Sequence, residues 1–296
     1  MINAGVSERR SVPGSGAPRM IAFVLQGGGS LSAPQVGALR ALTEAGIRAD
    51  LVVGSSAGAL NAVVYATDPS PVGVSRLESL WLRLRRRHVA TTSPRLLARA
   101  LRGRSDGLFD AAPLRRLLLE RNLVAHRLED TRIPAHVVAS DLDTGEPVVM
   151  SDGDTASALL ASAAFPGIYA PVSRDGRRLV DGGVVADVPL LQAEALGATT
   201  CYVLPAAVSA DGDRPLRGPL AMAYRALGQL LDSTARRDSL AARGEVHMLP
   251  AASSAASNPL DFGATQRLIE DGYRLARRWL TTDTPAANRT SRAMFV

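Results

Sequence analysis

The sequence predicts an α/β fold with a mainly parallel central sheet, and three observations carry that prediction. Apolar runs of strand length alternate along the chain with segments of helical periodicity. The first two strand-to-helix junctions are glycine turns, Gly27-Gly28-Gly29 and Gly54-Ser55-Ser56-Ala57-Gly58. At 296 residues and 46% hydrophobic content, the chain can bury a sizeable core.

Taken in order, residues 21–26 form an apolar strand that ends in the triple glycine. Residues 33–45 follow as an amphipathic helix, with Val36, Leu39 and Leu42 on its buried stripe and Gly46 as its C-cap. Residues 49–53 are the next strand, and Ser56 stands just beyond its end. Loops at the carboxyl ends of adjacent parallel strands converge on one crevice, so the triple glycine and Ser56 are expected to be neighbours. Val74, Leu77, Leu80, Trp81 and Leu84 have helical spacing. In the arginine-dense segment 83–104, Arg83, Arg85, Arg86, Arg87, Arg95, Arg99, Arg102 and Arg104 are interleaved with leucines. It reads either as a solvated helical face or as a cap that rests on an anionic membrane with its leucines toward the acyl layer.

Leu114, Leu117 and Leu118 mark another helix begun near Pro113. Residues 133–140 read as a strand that turns at 141–145 into a partner at 146–151. Asp154 can cap a helix running to 164, which Phe165-Pro166-Gly167 stops. A short strand at 178–180 leads into Asp181-Gly182-Gly183. A helix at 189–196, a strand at 199–204, a helix at 224–240, a strand at 245–249 and a helix at 266–280 complete the alternation, with one long loop at 208–219. No repeat or low-complexity linker divides the chain. One domain is expected over residues 20–282, between flexible tails at 1–19 and 283–296.

The formal net charge is +6, and every basic residue is arginine. A lysine-free, alanine-rich composition is what a G+C-biased genome produces, and on that ground no nucleic-acid partner is expected. One cysteine, Cys201, excludes an intramolecular disulfide and a cysteine-based zinc site. The N-terminus lacks the apolar core of a secretory signal, and the most apolar stretch, 51–66, is too short and too polar to span a bilayer. The expected location is cytoplasmic, with peripheral contact to an anionic membrane through the arginine segment.

Gly54-x-Ser56-x-Gly58 between a strand and a helix reads as a nucleophile elbow. Ser56 is then the candidate nucleophile, and the two glycines let strand and helix approach closely. The N–H groups of Gly27, Gly28 and Gly29 are candidate oxyanion donors, with a helix dipole behind them. Phosphate cradling in a dinucleotide site is the alternative, but the last glycine of G-x-G-x-x-G is missing and no acidic residue ends the second strand. Of the histidines His88, His126, His136 and His247, only His247 has a chain position suited to a Ser-His-Asp triad, and its neighbours Val246 and Met248 read as strand interior.

Residues 21 to about 205 resemble a bacterial patatin-like phospholipase. The resemblance rests on the triple-glycine loop, the elbow, the segment Ala161-Ser162-Ala163-Ala164-Phe165-Pro166 with Pro171, and Asp181-Gly182-Gly183, in the family's order. It implies a three-layer α/β/α hydrolase with a Ser-Asp dyad: Ser56 as nucleophile, Asp181 as base, and Gly182 and Gly183 shaping the turn that aims the base. It further implies an oxyanion hole from Gly27, Gly28, Gly29 and Ala57, a lipid or acyl-ester substrate, and no metal or organic cofactor. Leu31 and Ser32 stand where many members carry a basic residue and a glycine, and Asp187 stands where asparagine is common. A His247-dependent esterase and a catalytically weak membrane-binding module of the same fold are the alternatives.

Overall fold

The computed structural model describes residues 19–119, 123–209, 219–254 and 258–282, so the expected tails, apart from Arg19, and most of the 208–219 loop lie outside the described residues. β1 (Ile21–Leu25) passes through a 3-10 turn at Gly29–Ser32 into α1 (Pro34–Glu44). β2 (Leu51–Ser55) passes through Ser56 into α2 (Ala57–Thr67), and α3 (Pro71–Arg83) runs back along it. The arginine segment folds as α4 (Arg86–Val89) and α5 (Pro94–Leu101), and α6 (Ala112–Leu119) follows. Next come β3 (Ala135–Asp141), β4 (Pro147–Met150), α7 (Thr155–Ser162), and a hairpin of β5 (Val172–Arg174) and β6 (Arg177–Asp181). α8 (Gly183–Ala186) and α9 (Leu190–Ala195) lead to β7 (Thr200–Leu204) and β8 (Val208–Ser209). The chain continues through α10 (Pro219–Ala241), β9 (Glu245–Met248) and β10 (Ser253–Ser254) to α11 (Thr265–Thr282).

β3, β2, β1, β7 and β9 pair in parallel in that order, and β4, β5 and β6 add the antiparallel part. β1 shows why the fold has three layers. Phe23 and Leu25 face a core shared with α1, α2, α3 and α11, while Ala22 and Val24 face a second core with Leu190, Ala193 and Ala235. Both cores are dry. A strand buried on both faces is expected to be apolar, as β1 is along its length and β7 is from Cys201 on.

Local signals act at the helix starts. Ser70 and Ser93 accept the N–H of Gly73 and Leu96, and Asp154 accepts that of Ser157 at 2.6 Å. Proline occupies the first turn of α1, α3 and α5. The strand expected at 178–180 is β6, and β5 is its hairpin partner, a three-residue strand with no apolar run to announce it.

The packing of α11 on α1 depends on two glycines. A Cβ at Gly37 would lie 2.0 Å from the Ile269 carbonyl oxygen, and one at Gly272 would lie 2.1 Å from that of Pro34. The helices therefore touch backbone to backbone. Arg40 stacks 3.9 Å from the centre of the Tyr273 ring, whose hydroxyl donates to Glu44 at 2.7 Å. Gly37→Ala is expected to force the helices apart and to destabilise the protein by about 1–3 kcal/mol, read as a lower urea midpoint at unchanged slope.

Candidate active site

The site arises where two strands meet on one edge of a third. β3 pairs with β4 at 137–140, with β2 at 135–138 and with β6 at 139–141. Since β4 occupies one edge of β3 throughout, β2 and β6 share the other and abut end to end. Ser55 is opposite Val138 and Asp181 is opposite Ala139, successive positions on that edge. The next residue after β2 is Ser56, so the register itself delivers serine and aspartate to one point.

Ser56 sits at φ 53°, ψ −125°, outside the ordinary regions for an L-residue. Holding a non-glycine residue there costs about 1–3 kcal/mol and persists only where the surroundings enforce it. They do so from three sides. A Cβ at Gly54 would lie 2.5 Å from the Gly58 carbonyl oxygen, and one at Gly58 would lie 2.4 Å from that of Leu25, so both elbow positions admit only glycine. The Ser56 N–H donates to Ser162 Oγ at 2.8 Å, and Ser162 in turn donates to the Val138 carbonyl at 2.6 Å. Ser162 thus ties the elbow to β3, a role that its place in the 161–166 segment did not reveal.

Ser56 Oγ donates to Asp181 Oδ2 at 2.7 Å. Asp181 Oδ1 accepts the Gly183 N–H at 2.8 Å, and its main chain is held by Ala164 and by Ser140 Oγ. The turn at 182 is tight: a Cβ on Gly182 would lie 2.1 Å from the Val138 oxygen and 2.6 Å from Ser55 Oγ. Asp181 is 4% exposed. Burial pushes its pKa up from 3.8 to about 7, against the opposing pull of the Ser56 and Gly183 hydrogen bonds, and the Asp187 carboxylate adds to the rise.

The triple glycine is adjacent, as expected, but its three residues do different things. Gly27 is not an oxyanion donor, because its N–H is spent on the Asp187 carbonyl at 3.0 Å. Its part is steric: a Cβ there would lie 2.5 Å from Asp187 Oδ1 and 3.4 Å from the Ser56 Cβ. Gly28 and Gly29 adopt φ 145° and 57°, and their N–H groups and that of Ala57 have no partner among the described residues. Ala57 is the first residue of α2, where an N–H has no acceptor within the helix.

Gln26 and Asp187 form a clamp that sequence reasoning missed. Gln26 Nε2 donates to Asp187 Oδ2 at 2.8 Å, and Gln26 Oε1 accepts the Ala206 N–H at 2.9 Å. Asp187 therefore holds the glycine loop through side chain and main chain at once. The available signal was a glutamine ending an otherwise apolar strand. Ser32 is buried and donates to the Gln26 carbonyl at 3.4 Å, so the loop accommodates it.

The histidines are elsewhere. His247 lies on β9, three strands from β2, which at ~4.8 Å per strand is about 14 Å. Its ring stacks on Tyr202 at 4.7 Å and approaches Trp279 at 6.2 Å, and burial lowers its pKa. It is a strand-interior residue that does not reach Ser56. His136 is bonded to Ser151 Oγ at 2.7 Å, and His88 lies in the arginine segment.

The sequence profile of the patatin-like phospholipase family matches residues 23–194, more than half of the chain. An uncharacterized NTE family protein of Mycobacterium bovis is 32% identical over 180 residues, 60% of this chain and 46% of that protein. A lysophospholipase of Aspergillus terreus is 26% identical over 194 residues, 63% of this chain and 12% of that protein. The chain thus spans about half the length, or less, of these relatives. The crystal structure of VipD from Legionella pneumophila is similar in fold, with a TM-score of 0.51 and 16% identity over 90% of this chain and 67% of that one.

The raised pKa of Asp181 has a thermodynamic consequence. Below 3.8 the folded and unfolded chains both hold the proton; between 3.8 and about 7 only the folded one does, so stability falls as pH rises through that window. Asp181→Asn keeps the shape and removes the charge. At about pH 8 this variant is expected to have a higher Tm than the wild type, with the gap closing toward about pH 4. A gap independent of pH would show that Asp181 is not a buried, proton-holding group.

Proposed function

The chain belongs to the patatin-like phospholipase family, and on that premise we propose that it is a lipid acyl hydrolase working through Ser56 and Asp181. The observation that carries the reading is the 2.7 Å hydrogen bond from Ser56 Oγ to a buried carboxylate raised to about 7. An ordinary surface aspartate is a poor base for a hydroxyl; a desolvated one holding that hydroxyl in place is a better one.

In the proposed sequence, Ser56 Oγ attacks the ester carbonyl carbon while its proton passes to Asp181 Oδ2. The oxyanion is met by the unpartnered N–H groups of Gly28, Gly29 and Ala57, with the N-terminus of α2 behind the last. Collapse of the tetrahedral intermediate breaks the C–O bond, and the leaving alcohol takes the proton from Asp181. Water then attacks the acyl-serine carbonyl as its proton passes to the same carboxylate; the second collapse breaks the bond from the acyl carbon to Ser56 Oγ, Asp181 returns the proton to that oxygen, and the fatty acid leaves. The substrate class is a carboxylic ester of a lipid, of phospholipid or lysophospholipid type.

Access to a lipid surface is proposed through α5. That helix has no buried residue, and Leu97 and Leu101 are 43% and 79% exposed beside Arg95, Arg99 and Arg102. The segment after it is tied to the site: Leu108 and Phe109 donate to the Ile168 carbonyl, in the turn that follows α7. No helix among the described residues is long and apolar enough to cross a membrane, so this contact is one of lying on a surface.

Two measurements test the reading. Ser56→Ala and Asp181→Asn are each expected to lower fatty-acid release by about 10³-fold or more, and Ser56→Ala to lose labelling by a fluorophosphonate; wild-type rates in both variants would sink the dyad. For the wild type, kcat/KM is expected to rise with pH on the acid side with a midpoint near 7, because protonated Asp181 cannot accept the Ser56 proton. The membrane contact is tested separately. Leu97→Ser with Leu101→Ser should slow hydrolysis of vesicle lipid and leave that of a water-soluble ester unchanged, and equal effects on the two substrates would remove α5 from the proposal.

A further inference from the structure

Arg83, Arg85, Arg87 and Arg116 converge on one cavity of about 690 Å³. They come from the end of α3, from α4 and the residue before it, and from α6. Leu80, Pro113, Leu117 and Leu123 add an apolar surface to its lining. Among the described residues none of the four guanidinium groups meets a carboxylate, whereas Arg40, Arg76, Arg132 and Arg178 each do.

Four like charges around one hollow repel one another, and an exposed arginine free to move would turn outward into water. Arg85 is not free. Its Nη1 donates to the carbonyls of Leu82 and Leu84, both at 2.7 Å, which fixes the guanidinium in place. His88 lines the same cavity and accepts the Arg85 N–H at Nδ1, 3.2 Å, so in the neutral ring the proton is on Nε2 as a further donor. Planar guanidinium forks, with no acceptor of their own, match the oxygens of a phosphate.

The cavity also has a place in the fold. α2 leaves from Ser56 and α3 returns alongside it, with Trp81 Nε1 donating to Asn61 Oδ1 at 2.6 Å. The last turn of α3 is therefore level with the first turns of α2. The arginines are delivered to the same end of the sheet as the elbow.

We propose that this cavity is a phosphate-binding site, distinct from the acyl-hydrolase site, that takes a phosphate group from a lipid headgroup or from a free phosphorylated solute. The proposal does not rest on the hydrolytic reading, and its test is run in Ser56→Ala protein so that turnover does not enter. Two probes are used: inorganic phosphate against chloride at equal ionic strength, read by thermal shift, and co-sedimentation with phosphatidylcholine vesicles with and without phosphatidic acid. Each is repeated with Arg83→Gln/Arg87→Gln/Arg116→Gln and with a charge-matched control remote from the cavity, Arg48→Gln/Arg277→Gln/Arg278→Gln.

All six positions are exposed, so both triple variants are expected to fold, with Tm without ligand as the check. Should the cavity triple unfold, Arg87→Gln alone carries the comparison. The expected result is binding of at least one probe, weakened about tenfold or more by the cavity substitutions and little by the control. Binding of vesicles alone assigns the lipid headgroup, and a response to inorganic phosphate assigns the soluble source. Equal losses in the two triples reduce the effect to net charge and overturn the proposal, as does the absence of binding to either probe.

Discussion

The arrangement depends on one feature of sheet pairing: β2 and β6 meet end to end along a single edge of β3. A parallel strand arriving from below turns away at Ser55, and an antiparallel strand arriving from above stops at Asp181. The edge of β3 passes from one to the other between Val138 and Ala139. Backbone hydrogen bonding therefore sets the separation of the Ser56 and Asp181 side chains. A one-residue slip of β6 would turn Asp181 to the other face, and with it every side chain of that strand.

Around that junction several polar groups are held by partners from other elements, whereas the buried Ser55 Oγ has none among the described residues. Ser162 joins the elbow to the end of α7 and to β3, and the Gln26–Asp187 pair joins the glycine loop to the segment after Asp181. The strain at Ser56 is thus opposed by contacts from three directions, not by its neighbours in sequence alone. Such over-determination is what a backbone in a sparsely populated region requires. It also explains the glycines: at 54, 58 and 182 a Cβ would meet main-chain oxygen within 2.5 Å, and main chain cannot step aside as a flexible side chain would.

What the sequence made legible follows the range of each interaction. The parallel strands, the elbow and the Asp-Gly-Gly turn are local patterns, and all are read from a few adjacent residues. The three layers follow from strands that are apolar on both faces, as β1 is along its length and β7 is from Cys201 on. Other features belong to pairs distant in the chain. Gly27 was read as a donor because a glycine after a strand exposes its N–H, yet that N–H meets a carbonyl 160 positions later, from 187 − 27. The clamp between Gln26 and Asp187, the brace from Ser162 and the glycine contact of α1 with α11 are likewise invisible to spacing. His247 is a complementary case. Its strand context was legible, but its distance from Ser56 required the strand order, which periodicity does not supply.

On the proposed mechanism the buried carboxylate sets stability against reactivity. In that mechanism a proton-accepting Asp181 needs the desolvation that lifts its pKa to about 7, and the same desolvation weakens the fold wherever the group is ionised. More hydrogen bonds would relieve the burial and lower the pKa again, which would make the aspartate a weaker base. Two donors, Ser56 and Gly183, leave it between these limits, and the neighbouring Asp187 shifts the balance further toward basicity. Asparagine at 187 would preserve a polar partner for Gln26 while removing that charge. The aspartate in this chain is therefore an electrostatic element of the site as well as a structural one, placed where the glycine loop and the turn that follows Asp181 are held together.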